Sequence, residues 1–175
     1  MKKRPPIPLN FEIDKLTNSI QNVITGDSFN TSVLPFTVKD AKGVTKKNGW
    51  LFDWKYELKQ PERDVYKLTI VNNTSIIQGL ISLEVKEDHI YMHLVENAPF
   101  NLGKRKVYAG VAGNLVAYAC KESFQRGFEG NVAFISKTQL IDYYLESLGA
   151  IHIGAQRMII ETKPALKLIN KYFKI

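Results

Sequence analysis

The chain carries little from which a covalent or metal framework could be built. A single cysteine, Cys120, leaves no partner for an intrachain disulfide. It falls among Ala117, Ala119 and Phe124 on a predicted helix, with no histidine near it in sequence, and reads as a small core residue rather than a nucleophile. The three histidines, His89, His93 and His152, lack Cys or carboxylate companions at ligand spacing, so no metal site is expected. No apolar run reaches the ~18 residues of a membrane-spanning helix, so no membrane contact is expected. The leading residues, Met1-Lys-Lys-Arg-Pro-Pro-Ile-Pro-Leu9, hold charge and proline but no apolar signal-peptide centre. A cytoplasmic location is the resulting default. Repeats, low-complexity tracts and linkers are absent. Acidic residues are also in deficit, 17 against 24 Lys and Arg, for a net charge of +7. That balance suits an anionic ligand, a phosphate-bearing cofactor or nucleic acid.

What is present is ordinary for a soluble globular protein. At 175 residues, 45% hydrophobic and 23% charged, a single domain over residues 1–175 is expected, with a substantial core. Residues 1–10 read as an extended lead. Ser19–Ile24 and Thr31–Phe36 suggest two strands around the turn signal Gly26-Asp27. Thr37, with Asp40 three residues later, is a candidate N-cap for a short helix to about Lys47. Trp50-Leu-Phe-Asp-Trp54 is an aromatic cluster, suited to a core plug under a loop or to a stacking wall.

The middle of the chain alternates apolar and polar residues. Val65–Val71, Ile77–Val85 and His89–Val95 read as three strands of an antiparallel meander, separated by Asn72–Ser75 and Glu87-Asp88. A helix follows, with Val111, Leu115, Tyr118 and Ala119 in one stripe, Val116, Cys120 and Phe124 in another, and Gly127 at its end. Asn131–Ser136 is a short apolar run, read as a buried strand parallel to its neighbour. A second helix, about Thr138 to Leu148, ends at Gly149. Ala150–Ile153 and Arg157–Glu161 form a strand pair around Gly154. Thr162 is the expected cap of a last helix, with Pro164 in its first turn and Ala165, Leu166, Ile169 and Phe173 on its apolar face.

The stretch that links meander to crossover is Lys104-Arg-Lys-Val-Tyr-Ala-Gly-Val-Ala-Gly113. A strand, a glycine-bearing turn and a helix start together suit a phosphate, because the first turn of a helix offers unpaired N–H groups and partial positive charge. The same glycines equally suit a tight turn and a close helix–sheet contact. Both readings stay open at the level of the pattern.

The element order and this turn resemble the GNAT N-acetyltransferase superfamily over residues 65–161. The family's Gln/Arg-x-x-Gly-x-Gly/Ala turn is matched by Gly110-Val111-Ala112, continued by Gly113-Asn114, and Leu148-Gly149-Ala150 is similar to the end of a later family element. The Lys-Val-Tyr and Gln-Arg-Met-Ile-Ile segments also look like a group of bacterial GNAT-like proteins. The resemblance implies an α/β (α+β) mixed sheet: an antiparallel meander, a helix–strand–helix crossover, and a C-terminal strand pair plus helix. It implies acetyl transfer from acetyl-CoA to an amine, with pyrophosphate on the amides of Gly110 to Asn114 and the thioester carbonyl polarised from Leu94 and Val95. Two family positions differ. Val107 replaces the polar Gln/Arg, for which Arg105 or Lys106 would substitute. Leu145 replaces the tyrosine acid, and Tyr144 lies one residue, about 100° of helix, away. Glu96, closing the third strand, is the first candidate base, His93 the second, and Tyr144 the candidate acid. The alternative reading is a GNAT-like binding or accessory module without turnover, in contact with nucleic acid through Lys104–Lys106.

Overall fold

A computed structural model describes residues 4–14 and 19–173 of the chain; expectations for residues 1–3 lie outside the described residues. Among the described residues no helix is long and apolar enough to cross a membrane. None of their His, Cys, Asp and Glu side chains cluster to hold a metal ion.

The meander forms as the alternation dictates. Strands β4 (Arg63–Ile70), β5 (Gly79–Val85) and β6 (Ile90–Asn97) pair antiparallel in sequence order. β5 lies between two hydrogen-bonded neighbours under a helix, and Leu80 and Ile81 are fully buried. β3 (Thr31–Pro35) adds to the far side of β4. It is therefore not the hairpin partner of the strand before it. That strand, β1 (Ile20–Asn22), pairs with β2 (Ser28–Phe29) and, on its other side, with β7 (Tyr108–Ala109), in a separate small sheet. Long-range pairing decided this, which no local turn signal encodes.

After the glycine turn, helix α3 (Val111–Gln125) lies across the sheet and carries the chain to β8 (Val132–Ile135), parallel to β6. Its start is buried all round, so it is a core helix more than a surface amphipath. Helix α4 (Ile141–Leu148) ends at Gly149 in the left-handed conformation, φ 69°. β9 (Ile151–His152) and β10 (Arg157–Ile160) form the expected pair, and β10 inserts between β9 and β8. The main sheet thus runs β3-β4-β5-β6-β8-β10-β9.

Several local expectations need adjustment. Thr37 and Asp40 do make a reciprocal capping box, but helix α1 is only Val38–Ala41. The next regular turn is a separate 3-10 segment, Lys46–Asn48. The aromatic cluster opens a helix that local propensity did not reveal, α2 (Trp54–Lys59), capped by Asp53, with Trp50 and Trp54 buried as core plugs. The cap of helix α5 (Thr162–Tyr172) is Glu161, and the Thr162 hydroxyl donates instead to the Glu129 carbonyl. Its inner face is Ala165, Leu168, Ile169 and Tyr172, whereas Leu166 is exposed. The lead is docked rather than free: Leu9 and Phe11 belong to the core cluster.

Candidate active site

The site forms where β6 and β8 part. They pair in register only at Ile90–Val132 and Tyr91–Ala133. β6 then bends, because it carries an extra residue: Ser82 faces Leu94 while the next residue, Leu83, faces Met92, leaving His93 unmatched. A bulge of this kind kinks its strand and re-aims side chains. Beyond Ala133, β8 stays with β10, and β6 continues to Asn97 with β5 as its partner and its other edge parted from β8. A V opens between them, with the start of α3 near its mouth.

The chain's own residues 9–14 occupy this V. The Leu9 amide donates to the Ile135 carbonyl at 2.7 Å, and the Lys137 amide donates to the Leu9 carbonyl at 3.0 Å. Leu9 thus takes up the edge of β8 that β6 has left, satisfying backbone groups that would otherwise be orphaned. The Phe11 ring packs against Phe134 and Tyr144 at 5.9 and 4.7 Å between centroids. The Tyr143 hydroxyl accepts from the Ile13 amide at 2.7 Å. Asp14 ends the segment at the glycine turn. One carboxylate oxygen accepts from the Gly110 amide at 3.0 Å and the other from Lys106 Nζ at 2.9 Å.

The turn holds the Asp14 carboxylate. Gly110 is left-handed, φ 90°, which a side-chain-bearing residue adopts only at a cost, and α3 has no side-chain cap of its own. The Asp14 carboxylate is that cap, at the positive end of the helix. Val111, Ala112, Gly113 and Asn114 are all buried. Gly113 answers a packing need: a Cβ there would lie 1.9 Å from the Tyr172 hydroxyl oxygen, so its lack of a side chain lets α5 approach α3. The Asn114 amide nitrogen is buried without a hydrogen-bond partner, while its oxygen meets the Thr31 hydroxyl at 3.5 Å. Of the basic run, Lys106 is committed to Asp14 and Arg105 is exposed.

The acid–base candidates separate by environment. Glu96 is 5% exposed, and its carboxylate accepts from the Leu51 amide (2.8 Å), the Phe52 amide (3.4 Å) and Trp54 Nε1 (2.7 Å). It ties the loop before α2 to the end of β6, and it also lines a cavity of about 190 Å³ with Val95, Asn97, Asn101 and residues of the 10–14 segment. His93 meets Glu84 Oε1 through Nε2 at 2.8 Å and lines a second cavity of about 240 Å³ with Leu94, Arg63, Tyr56 and residues 4–7. Burial, with the nearby Arg63 charge, outweighs Glu84 and holds the imidazole below its usual range, so it is neutral at neutral pH. The Glu84 contact then places the proton on Nε2 and leaves Nδ1 as an acceptor.

Tyr144 does not face a cleft. It is fully buried, its hydroxyl donates to the Phe11 carbonyl at 2.6 Å, and burial pushes its phenol up. The one-residue offset from the family's tyrosine position turned the ring into the core, which gives it the packing role rather than that of an acid. Leu145, at the family position, is exposed. Sequence reading missed Phe11 and Asp14. Their signal was the alternation Leu9, Phe11, Ile13 against Asn10, Glu12, Asp14, a strand pattern lying at the end of a proline-rich lead.

Comparison with solved structures identifies the architecture. A complex of spermidine N-acetyltransferase from Vibrio cholerae with CoA and spermine is 13% identical, with TM-score 0.55 over 78% of this chain and 98% of that one. A chimera of the same Vibrio cholerae enzyme with hSSAT is 15% identical, with TM-score 0.58 over 79% and 99%. The ribosomal-protein-S18-alanine N-acetyltransferase of Escherichia coli is 13% identical, with TM-score 0.51 over 74% and 90%. No family model matches the sequence, and no curated protein does. The fold is that of the GNAT N-acetyltransferases. At these identities the likeness is one of fold.

Proposed function

We propose that the chain is an acyl-CoA-dependent N-acyltransferase, with acetyl-CoA as co-substrate and an amine as acceptor. The V between β6 and β8, closed at its mouth by the anion-holding turn at Gly110, carries this reading. A phosphopantetheine arm has amides that suit unpaired strand edges and phosphates that suit a helix start. Structural neighbours with this fold acetylate amines, and one is held with CoA. The residues present fit the substrate if Asp14 leaves: the Gly110 amide and Lys106 then face an incoming phosphate. The Leu94 and Val95 amides, next to the bulge, are the candidate donors to the thioester carbonyl. His93, neutral and oriented by Glu84, is better suited to take the acceptor's proton than Glu96, whose oxygens already accept three N–H groups. Orientation alone supplies much of the rate in a two-substrate transfer.

The test is thiol release from acetyl-CoA on a panel of polyamines, peptide N-termini and lysine peptides. The buried Cys120 keeps the protein's own thiol out of a thiol reagent's reach. Turnover above the hydrolysis blank with at least one amine is expected. No turnover, together with no heat of acetyl-CoA binding at millimolar ligand, would refute it. The second reading, a GNAT-fold binding module without turnover, draws on the filled V. The nucleic-acid reading finds no support in these neighbours, and Lys106 is engaged within the chain.

A further inference from the structure

The lead is routed in a way that core packing alone does not require. Arg4 is anchored on α2, with its guanidinium 3.1 Å from Asp53 and 3.9 Å over the Tyr56 ring. The segment then passes between the two cavities. Residues 4–7 line the one floored by His93 and Leu94, and residues 10–12 and 14 line the one floored by Val95 and Glu96. It ends with a carboxylate on the amide of Gly110. An extended stretch from Leu9 to Asp14 spans about 17 Å.

We propose that residues 9–14 are an intramolecular strap that stands in for the acyl carrier, and that acyl-CoA enters only when the strap withdraws. The proposal rests on the acyltransfer reading above and adds its regulation. Each part of the strap meets a demand the carrier would make. The Leu9 backbone pairs with β8 as an amide of the arm would. The Phe11 ring fills the apolar floor made by Phe134 and Tyr144. The Asp14 carboxylate sits where a phosphate would, on Gly110 and opposite Lys106. Strap and cofactor cannot share the Gly110 amide. At its Asp14 end the strap is held by hydrogen bonds with Tyr143 and Gly110 and by the Lys106 ion pair. A strap docked nine-tenths of the time or more lowers apparent affinity by at least about tenfold, because only the open fraction binds.

The experiment uses the full chain, coenzyme A itself as probe, and two readouts. Affinity is measured by titration calorimetry for the wild type, Asp14→Ala and Asp14→Asn. Amide hydrogen exchange follows Leu9 and Lys137, whose N–H groups hold the strap to β8. Asp14→Ala is expected to bind coenzyme A at least tenfold tighter than the wild type, and added coenzyme A should deprotect the Leu9 amide, whereas the arm takes over the Lys137 N–H. Asp14→Asn should move in the same direction, and it serves where Asp14→Ala folds poorly. Binding to the wild type with the Leu9 amide still protected would overturn the strap and leave acyl transfer standing, as would equal affinity in wild type and variants. A folded Phe11→Ala/Asp14→Ala variant with fast exchange at Lys137 and no binding at millimolar coenzyme A would overturn the acyl-CoA reading, and the strap assignment with it.

Discussion

Gly113 decides between the two meanings of the glycine turn, and a double-mutant cycle with Tyr172 measures which holds. An alanine inside a helix is favoured over glycine by about 1 kcal/mol. At Gly113 the added Cβ would stand 1.9 Å from the Tyr172 hydroxyl oxygen and 2.6 Å from the ring carbon bearing it. Tyr172 is 2% exposed and cannot swing into solvent without lifting α5 off α3. Overpacking of this severity lies near the upper end of the usual range, about 3 kcal/mol. Gly113→Ala should therefore lose about 2 kcal/mol net, a fall in Tm of roughly 4–8 °C for a chain of this size. In a Tyr172→Leu background the clashing atoms are gone, so the same substitution should stabilise by about 1 kcal/mol. The coupling, about 3 kcal/mol, is read from urea unfolding of the four proteins. Equal destabilisation in both backgrounds would refute the contact with Tyr172 as the cause. Stabilisation in the wild-type background would show that the two helices are not pressed together at Gly113.

Two further predictions test the groups around the V. Glu96→Gln replaces one acceptor oxygen by an amide that faces N–H donors from Leu51, Phe52 and Trp54, and should cost about 2–3 kcal/mol in urea unfolding, with a red shift of native tryptophan emission; an unchanged midpoint and spectrum would show that the loop is held by other contacts. Burial of His93 lowers its pKa on folding, so the unfolded chain binds the extra proton first: its contribution is constant above about pH 6.5 and is lost as pH falls from there through the lowered folded value. NMR titration of the His93 ring should place its midpoint below 6.5, and His93→Gln should flatten stability over that window. A midpoint at or above 6.5 would contradict the buried, neutral imidazole.

Much of the architecture was legible because it rests on local chemistry. Alternation over Val65–Val95 fixes three strands, since period two puts every second side chain on the buried face. The switch to helical period at Val111, and Gly149 in its left-handed cap, fix the crossover elements. The capping box at Thr37 and Asp40 needs only four consecutive residues. The glycine turn could be located from sequence, and its place after a meander made a phosphate cradle a reasonable expectation.

What occupies that turn was decided only in three dimensions. Asp14 lies 96 residues before Gly110, and no periodicity connects them. The pairing of β1 with β7, the burial of the Glu96 carboxylate under Trp54, and the inward turn of the Tyr144 ring have the same origin. Each depends on which strand edge or helix end was left with unpaired groups once the sheet had formed. By itself the sequence determined the elements and their order, because hydrophobic period and backbone capping act within a few residues. The tertiary structure alone decided that the V between β6 and β8 is filled by the chain's own lead, because unpaired edge amides, an apolar floor and a positive helix end recruit whichever complementary segment can reach them.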